Sequence, residues 1–366
     1  MGDGLEAFLR EAVASRASDL HLAAGLPPMV RVDGRLLALD RPRLTEGDVG
    51  GLVFAVLTEE QKIGLKRDLE LDFAYSSPDG ARFRGNAHYG RGVPGAVFRV
   101  IPDEVPRLKD LGLPRVVEEL TDETWGLVLV TGPTGSGKST TLAAMLAEII
   151  QRRQERIVTV EDPIEFLHPH GRCVVTQREV GSDARTFARA LRHVLRQDPD
   201  VILVGEMRDL ETISLTVTAA ETGHLVFATL HTRDAPQAVD RIVDVFPPHQ
   251  QHQIRTQLAE VLRAVVAQTL VPLRGGGRAV ACEVLVATPG VRHMIREGKN
   301  HQIRSAMQTG GAAGMVTLDS SLATLVNGGL VSADEAARRA GDPEGVRHLV
   351  GSKERGTPSL RPSVRG

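Results

Sequence analysis

Cysteine is nearly absent from this sequence: its 366 residues include only Cys173 and Cys282, which lie far apart in the chain. Two isolated cysteines cannot build a disulfide framework or a cysteine-rich zinc site. Long hydrophobic runs are missing as well, since no apolar stretch reaches the roughly eighteen residues that a membrane-spanning helix needs. The first residues carry acidic side chains and no long apolar core, unlike a signal peptide. The sequence therefore predicts a cytoplasmic protein that is not inserted into a membrane.

Aromatic residues and excess positive charge are also scarce. Aromatics make up 3% of the chain, and the formal net charge is −2. Proteins that bind nucleic acids typically present basic surfaces and aromatic platforms for the bases, so no nucleic-acid partner is expected. Apolar residues account for 42% and charged residues for 25%, as in soluble globular proteins. A chain of this length is expected to form two or three domains.

A phosphate-binding pattern, G-x-x-x-x-G-K-S, occupies residues 132–139 directly after the apolar run 127–130. Between a strand and a helix, such glycines let backbone N–H groups surround the phosphates of a nucleotide. We expect Lys138 to neutralise phosphate charge and Ser139 to hold Mg²⁺. A glycine-rich turn that binds nothing is the alternative, but the spacing, the Lys-Ser pair and both flanking elements would all have to coincide. The predicted ATP-binding residues are Gly132, Pro133, Thr134, Gly135, Ser136, Gly137, Lys138, Ser139 and Thr140.

The patterning along the chain predicts an α/β protein with five segments. Residues 1–104 alternate short strands and helices, as in a small α+β domain, and prolines punctuate a linker at 105–120. Residues 121–284 contain apolar strands that alternate with helices, as in a parallel sheet covered on both faces. Within this segment the apolar positions 254, 258, 261, 262 and 265 recur at helical spacing. Residues 285–350 are predicted to be mainly helical, and 351–366 to form a disordered basic tail.

Polar residues follow three further apolar runs of the predicted sheet: Glu161 after 157–160, Glu206 after 201–204 and His231 after 225–230. Parallel strands end at one edge of a sheet, where ligands bind, so we expect these side chains near the phosphates. A carboxylate there can orient or deprotonate the attacking water, or hold the water shell of Mg²⁺. The sequence leaves open how Glu161 and Glu206 divide these roles. A surface ion pair between Glu206 and Arg208, and a purely structural His231, are the alternatives.

A second histidine, His224, precedes His231 by seven positions. Along an extended strand of about 3.3 Å per residue, this separation is roughly 23 Å, so both histidines cannot contact one phosphate. We expect His231 at the nucleotide edge and His224 at the opposite edge.

The segments around these residues resemble the Walker A, Asp box, Walker B and His box of the type II/IV secretion ATPases, which power type IV pili and type II secretion. They are residues 132–140, 161–166, 198–209 and 218–231. The resemblance extends to Ser18-Asp-Leu-His-Leu, Val97-Phe-Arg, Gln177-Arg-Glu-Val and Gln308-Thr-Gly-Gly, so it covers nearly the whole chain. Residues 289–299 are similar to an element of the pilus-retraction branch, and the four-cysteine metal-binding element of assembly and secretion members is absent.

The resemblance implies a PAS-like N-terminal domain, a RecA-like P-loop ATPase domain with a helical C-terminal extension, and a homohexamer with ATP at subunit junctions. It also implies a motor for pilus retraction and twitching motility at the inner face of the cytoplasmic membrane. The partners would be the inner-membrane pilus platform protein and, indirectly, pilin. Arginines from the N-terminal domain would reach the phosphates across a junction, and the candidates are Arg82, Arg84, Arg91 and Arg99.

Three other functions remain open. A pilus-assembly or secretion ATPase would share every motif above. A RecA-like nucleic-acid translocase is disfavoured by the charge and the scarcity of aromatics. A non-hydrolysing ATP-dependent switch would bind ATP tightly without turnover.

Overall fold

The computed structural model describes residues 4–32, 34–101 and 104–351. Contacts between residues divide the chain into two units, each of which is described by itself. Unit 1 comprises the residues up to Glu104 together with Glu165–Leu167, and unit 2 comprises Val105–Ile164 and the residues from His168 onward. Within the described residues, no helix is both long enough and apolar enough to cross a bilayer.

Unit 1 is a six-stranded antiparallel sheet with helices against one face. The strands lie in the order β3-β2-β1-β6-β5-β4. Its core-facing side chains alternate along the strands, as Leu20, Phe83 and Phe98 do, and pack against Leu9 of the first helix. Its elements are α1 (Leu5–Ala14), β1 (Asp19–Leu22), β2 (Met29–Val32), β3 (Arg35–Ala38), α2 (Glu46–Ala55), α3 (Glu59–Asp68), β4 (Glu70–Ser76), β5 (Arg82–Gly90) and β6 (Val93–Ile101).

Unit 2 is built on a seven-stranded sheet in the order β13-β12-β7-β11-β10-β8-β9, in which only β13 runs antiparallel to its neighbour. The central strands are continuous apolar runs because helices cover both faces. Its strands and the helices between them are α4 (Arg115–Glu119), β7 (Gly126–Thr131), α5 (Lys138–Arg152), β8 (Arg156–Glu161), β9 (Val174–Glu179), α6 (Phe187–Val194), β10 (Val201–Val204), α7 (Leu210–Glu221), β11 (Leu225–Leu230), α8 (Ala235–Asp244), α9 (Pro248–Val261), β12 (Leu262–Pro272) and β13 (Arg278–Val286).

The C-terminal part of unit 2 is helical, and Thr288 and Ser332 each accept a hydrogen bond from a backbone N–H in the first turn of a helix. Its helices are α10 (Pro289–Arg296), α11 (Ile303–Thr309), α12 (Leu318–Asn327), α13 (Ala333–Arg339) and α14 (Pro343–Gly351). The predicted disordered tail begins at Gly351, the last residue of α14, and its remaining positions, 352–366, lie outside the described residues. The sheet domain, the parallel α/β domain and the helical C-terminal part confirm the predicted fold class.

The helical prediction for Leu262 and Val265 is wrong. Helix α9 ends at Val261, and both residues belong to β12. This strand lies between β7 and β13, so most of its side chains are buried on both faces. A strand buried on both faces has no period-2 pattern, and hydrophobic periodicity therefore cannot distinguish it from a buried helix. The edge strand β9 was also absent from the sequence prediction.

The segment predicted as a linker, residues 105–120, carries α4 and a short 3-10 helix at Leu108–Asp110. Leu108, Val117 and Leu120 are buried in the same cluster as residues of α5 and β7. This segment is thus packed into unit 2 through these buried apolar residues.

Candidate functional site

The phosphate loop joins the fully buried strand β7 to helix α5. Gly132 begins the loop with φ 144°, and a Cβ atom there would lie 2.3 Å from the backbone oxygen of Gln268. Only glycine can hold this position, because such a distance is far inside van der Waals contact. Gly137, with φ 90°, stands directly before α5, so the loop enters the helix at its positively polarised N-terminus.

Lys138 lies back over the loop. Its Nζ donates hydrogen bonds to the backbone oxygens of Gly132 at 2.8 Å and Pro133 at 3.1 Å. The ammonium group is therefore held beside the backbone that surrounds the phosphates in a loop of this kind. Ser139 follows in the first turn of α5. A hydroxyl at this position of a phosphate loop can coordinate Mg²⁺.

Gln268 supports the loop from β12 and was missed by the sequence analysis. Its side chain is buried, and its Nε2 donates a 2.8 Å hydrogen bond to the backbone oxygen of Ser136. The pairing of Ala267 with Thr131 places Gln268 level with the start of the loop. A glutamine in an otherwise apolar run can be detected in the sequence. Its contact with the phosphate loop could be predicted only by recognising β12 as the neighbour of β7.

Buried polar atoms near the loop support binding of a polar group. The oxygens Thr131 Oγ1, Ser136 Oγ and Gln268 Oε1 are buried and have no hydrogen-bond partner within the described part of the chain. Unpaired buried hydroxyls are costly, and phosphate oxygens can accept their hydrogen bonds. The donor set of this loop therefore fits a nucleotide phosphate chain, and Ser139 with one carboxylate fits Mg²⁺, which retains several waters when it binds to proteins.

The strand order places the other predicted residues along the same edge of the sheet. His231 follows β11, the neighbour of β7, Glu206 follows β10, and Glu161 ends β8. At about 4.8 Å per strand, the three positions lie roughly 5, 10 and 14 Å across the sheet from β7. The structure therefore brings His231 and Glu206 into contact and places Glu161 one strand further out.

Glu206 is bound on both carboxylate oxygens. Arg208 Nη2 contacts Oε2 at 2.6 Å, and His231 Nε2 lies 3.2 Å from Oε1. Burial opposes ionisation of Glu206, but the hydrogen bond from Arg208 and the charges of His231 and Arg208 outweigh it, so its pKa lies below the ordinary value. The ion pair between Glu206 and Arg208 that was considered from the sequence is thus present. The glutamate of this pair also lies at the edge of the sheet that carries the phosphate loop.

Two neutral side chains contact the carboxylate of Glu161. Its Oε1 accepts hydrogen bonds from Thr159 Oγ1 at 2.5 Å and from Gln177 Nε2 at 3.1 Å. Gln177 belongs to β9 and also accepts a hydrogen bond from the backbone N–H of His168 at 2.8 Å. Strand β9 therefore orients the carboxylate of Glu161. This role was not predicted because β9 was not recognised as a strand in the sequence.

His224 lies at the far end of β11. Its backbone oxygen accepts from Gly126, the first residue of β7, and its Nδ1 lies 2.9 Å from the backbone oxygen of Ala219. His224 is therefore part of the turn after α7, at the edge of the sheet opposite His231.

The four arginine candidates of unit 1 do not form one group. Arg84 and Arg99 are direct cross-strand partners, so their side chains leave the same face of the sheet, and Arg82 lies on that face two residues away. Arg91 occupies the turn between β5 and β6 with φ 54°. It lies seven residues, about 23 Å, from Arg84 along the strand direction, too far for both to contact one phosphate.

Comparison with known proteins agrees with this architecture. The family model described as "Type II/IV secretion system protein" matches residues 97–275. The "Type IV pilus retractation ATPase PilT" of Pseudomonas aeruginosa is 51% identical over 90% of this chain and 95% of its own length. The chain belongs to the type II/IV secretion system protein family. This membership confirms the family that was predicted from the motifs.

Two further relatives support membership of the family. The "Twitching motility protein" of Neisseria gonorrhoeae is 49% identical over 87% of this chain and 86% of its own length. The solved structure entitled "Crystal Structure of the Pilus Retraction Motor PilT and Bound ADP" aligns with a TM-score of 0.89 at 45% identity, covering 94% of this chain and 99% of the other. The fold is therefore shared along nearly the entire length of both chains.

Proposed function

We propose that this protein is an ATP-hydrolysing motor that retracts type IV pili and so drives twitching motility. The observation that carries the proposal is the joint presence of a phosphate loop and sheet-edge Glu161, Glu206 and His231 in a chain so similar to the retraction ATPase. The predicted ATPase activity and retraction role are both borne out by the named relatives.

We assign ATP binding to the phosphate loop. Backbone N–H groups of Gly132 and of residues 134–140 surround the phosphates together with Lys138, and the ammonium group exchanges its backbone contacts for phosphate oxygens. Mg²⁺ neutralises phosphate charge when bound, and Ser139, together with Glu206 through water, would hold it. His231 donates a hydrogen bond to the γ phosphate from the same edge.

The two carboxylates take different roles in this proposal. The lowered pKa of Glu206 and its contacts to Arg208 and His231 favour a permanently ionised group, which suits the water shell of a cation and opposes proton uptake. Glu161 then serves as the general base for the attacking water. We expect Glu206→Gln to weaken the dependence on Mg²⁺ and Glu161→Gln to abolish turnover while ATP still binds.

The oligomeric state, the location, the partners and the arginines across a subunit junction are inferred from the family to which the chain belongs. The protein acts as a homohexamer at the cytoplasmic face of the inner membrane, on the pilus platform protein and indirectly on pilin. Arg84 and Arg99, with Arg82 on the same face, are the arginines assigned to the phosphates across a subunit junction, whereas Arg91 is assigned no contact.

The test combines turnover with a cellular phenotype. Lys138→Ala should abolish ATP hydrolysis, whereas Lys109→Ala, an exposed lysine of the same unit, should leave it unchanged. A deletion strain should carry surface pili but lose twitching, and the Lys138→Ala variant should fail to restore it. Undiminished turnover in Lys138→Ala would refute the enzymatic assignment, and bald cells would indicate an assembly motor.

A further inference from the structure

Four charged residues form a continuous row across unit 1. Asp19 on β1 is the direct cross-strand partner of Arg31 on β2 and of Arg99 on β6, and Arg99 is in turn the partner of Arg84 on β5. Direct partners leave the same face of a sheet, so Arg31, Asp19, Arg99 and Arg84 lie side by side. We call this set the arginine row.

The arginine row is electrostatically unbalanced. Like charges placed directly opposite each other destabilise a strand pair, and Arg99 faces Arg84 in this way. One carboxylate, that of Asp19, stands among three guanidinium groups. Such an arrangement is expected where the surplus positive charge meets an anion with several oxygens, because the planar fork of arginine matches that geometry.

Asp19 contacts Arg99 in a specific manner. The Asp19 side chain is 7% exposed, its Oδ1 accepts a 2.9 Å hydrogen bond from Arg99 Nε, and its Oδ2 accepts from Ser18 Oγ at 2.8 Å. Arg31 Nε is more distant, at 3.9 Å from Oδ2. The side chain of Arg99 is 67% exposed although its Nε is bound, so the contact anchors the inner part of the guanidinium and leaves its outer part accessible.

The charge of Asp19 is stable near neutral pH. Burial opposes its ionisation, but the hydrogen bonds from Ser18 and Arg99 and the positive charge of Arg99 outweigh burial and hold its pKa below the ordinary value. The carboxylate is therefore a fixed anchor for the arginine.

We propose that Asp19 is a positioning residue of the ATPase reaction: it binds Nε of Arg99 so that the terminal nitrogens of this arginine point, together with Arg84, at the triphosphate of a neighbouring subunit. This inference rests on the proposed function, which supplies the phosphate that Arg99 contacts. Asp19 itself touches no substrate. Its contribution is that Arg99 need not be ordered from many rotamers each time charge develops on the phosphate.

The experiment measures kcat and KM for ATP in the assembled full-length protein. Arg99→Ala should lower kcat by about a hundredfold, as expected for loss of a group that stabilises transition-state charge. Asp19→Asn, which keeps the size of the side chain, should lower kcat by about tenfold with little change in KM. The double variant should equal Arg99→Ala, because Asp19 acts only through Arg99.

Two further variants separate positioning from structural support. Arg91→Ala, in the distant turn, should retain full kcat. If Asp19→Asn does not fold, Ser18→Ala removes the 2.8 Å bond that orients the carboxylate and should lower kcat by about threefold. A merely structural Asp19 would lower the thermal midpoint without changing kcat of the folded ring.

Three outcomes would contradict the proposal. Wild-type kcat in Arg99→Ala would remove the arginine from the proposed mechanism, whereas impaired Arg99→Ala with unimpaired Asp19→Asn would overturn the positioning role alone. Full additivity of the two substitutions would also overturn it.

Discussion

Replacing Gln268 with leucine removes the amide group that supports the phosphate loop and leaves the volume of the side chain nearly unchanged. The 2.8 Å hydrogen bond to the backbone oxygen of Ser136 is lost, and that oxygen faces an apolar group. Leaving one buried polar group unpaired costs about 1–3 kcal/mol. If the whole cost falls on the loop conformation that binds phosphate, the affinity for ATP decreases by about 5- to 150-fold.

The measurement is the dissociation constant of a fluorescent ATP analogue, determined beside the thermal midpoint. Thr269→Val is the matched control, because Thr269 is the next residue of β12 and its side chain leaves the opposite face of the strand. We expect Gln268→Leu to bind the analogue more weakly at an almost unchanged thermal midpoint, and Thr269→Val to bind it normally. Unaltered affinity in Gln268→Leu would show that the loop holds its shape without this contact and would refute the reasoning.

Two further predictions concern pH. Arg208→Ala removes the 2.6 Å contact to Glu206 and so raises the pKa of the Glu206 carboxyl. Because Glu206 must be ionised for turnover, the acid limb of the kcat–pH profile should move to higher pH. An acid limb at the same pH would contradict the ionised role of Glu206. Glu283 accepts a 2.8 Å hydrogen bond from Ala235 N, and burial raises the pKa of the Glu283 carboxyl. The contribution of Glu283 to the stability of the fold is therefore complete below its unfolded-state pKa and is lost as the pH rises through the raised folded-state pKa. Glu283→Gln should therefore increase the thermal midpoint at neutral pH, with a gain that disappears below about pH 4, and a gain that persists in acid would argue against this cause.

The phosphate loop and the sheet-edge residues were predictable because their positions depend on short stretches of chain. The glycine spacing at residues 132–137 permits the positive φ angles of the curled backbone. Glu161, Glu206 and His231 each follow an apolar strand, and parallel strands present their ends at one edge. Neither prediction requires knowledge of which strands are neighbours.

The contacts that complete the site depend on neighbours distant in sequence. Gln268 reaches Ser136 across 132 positions, and Asp19 reaches Arg99 across 80. Gln177 could not be linked to Glu161 until β9 was seen beside β8. Such contacts are set by strand order and register, and a shift of one residue would turn each of these side chains to the opposite face.

The sequence by itself therefore determined the class of fold, the phosphate-binding loop and the edge at which the polar residues gather, since each follows from local spacing and period. Only the tertiary structure decided which distant side chains orient these groups: Gln268 contacts the loop, Gln177 contacts Glu161, and Asp19 contacts Arg99. The physical reason is that a hydrogen bond acts over about 3 Å, and strand pairing alone brings residues so far apart in the chain to that distance.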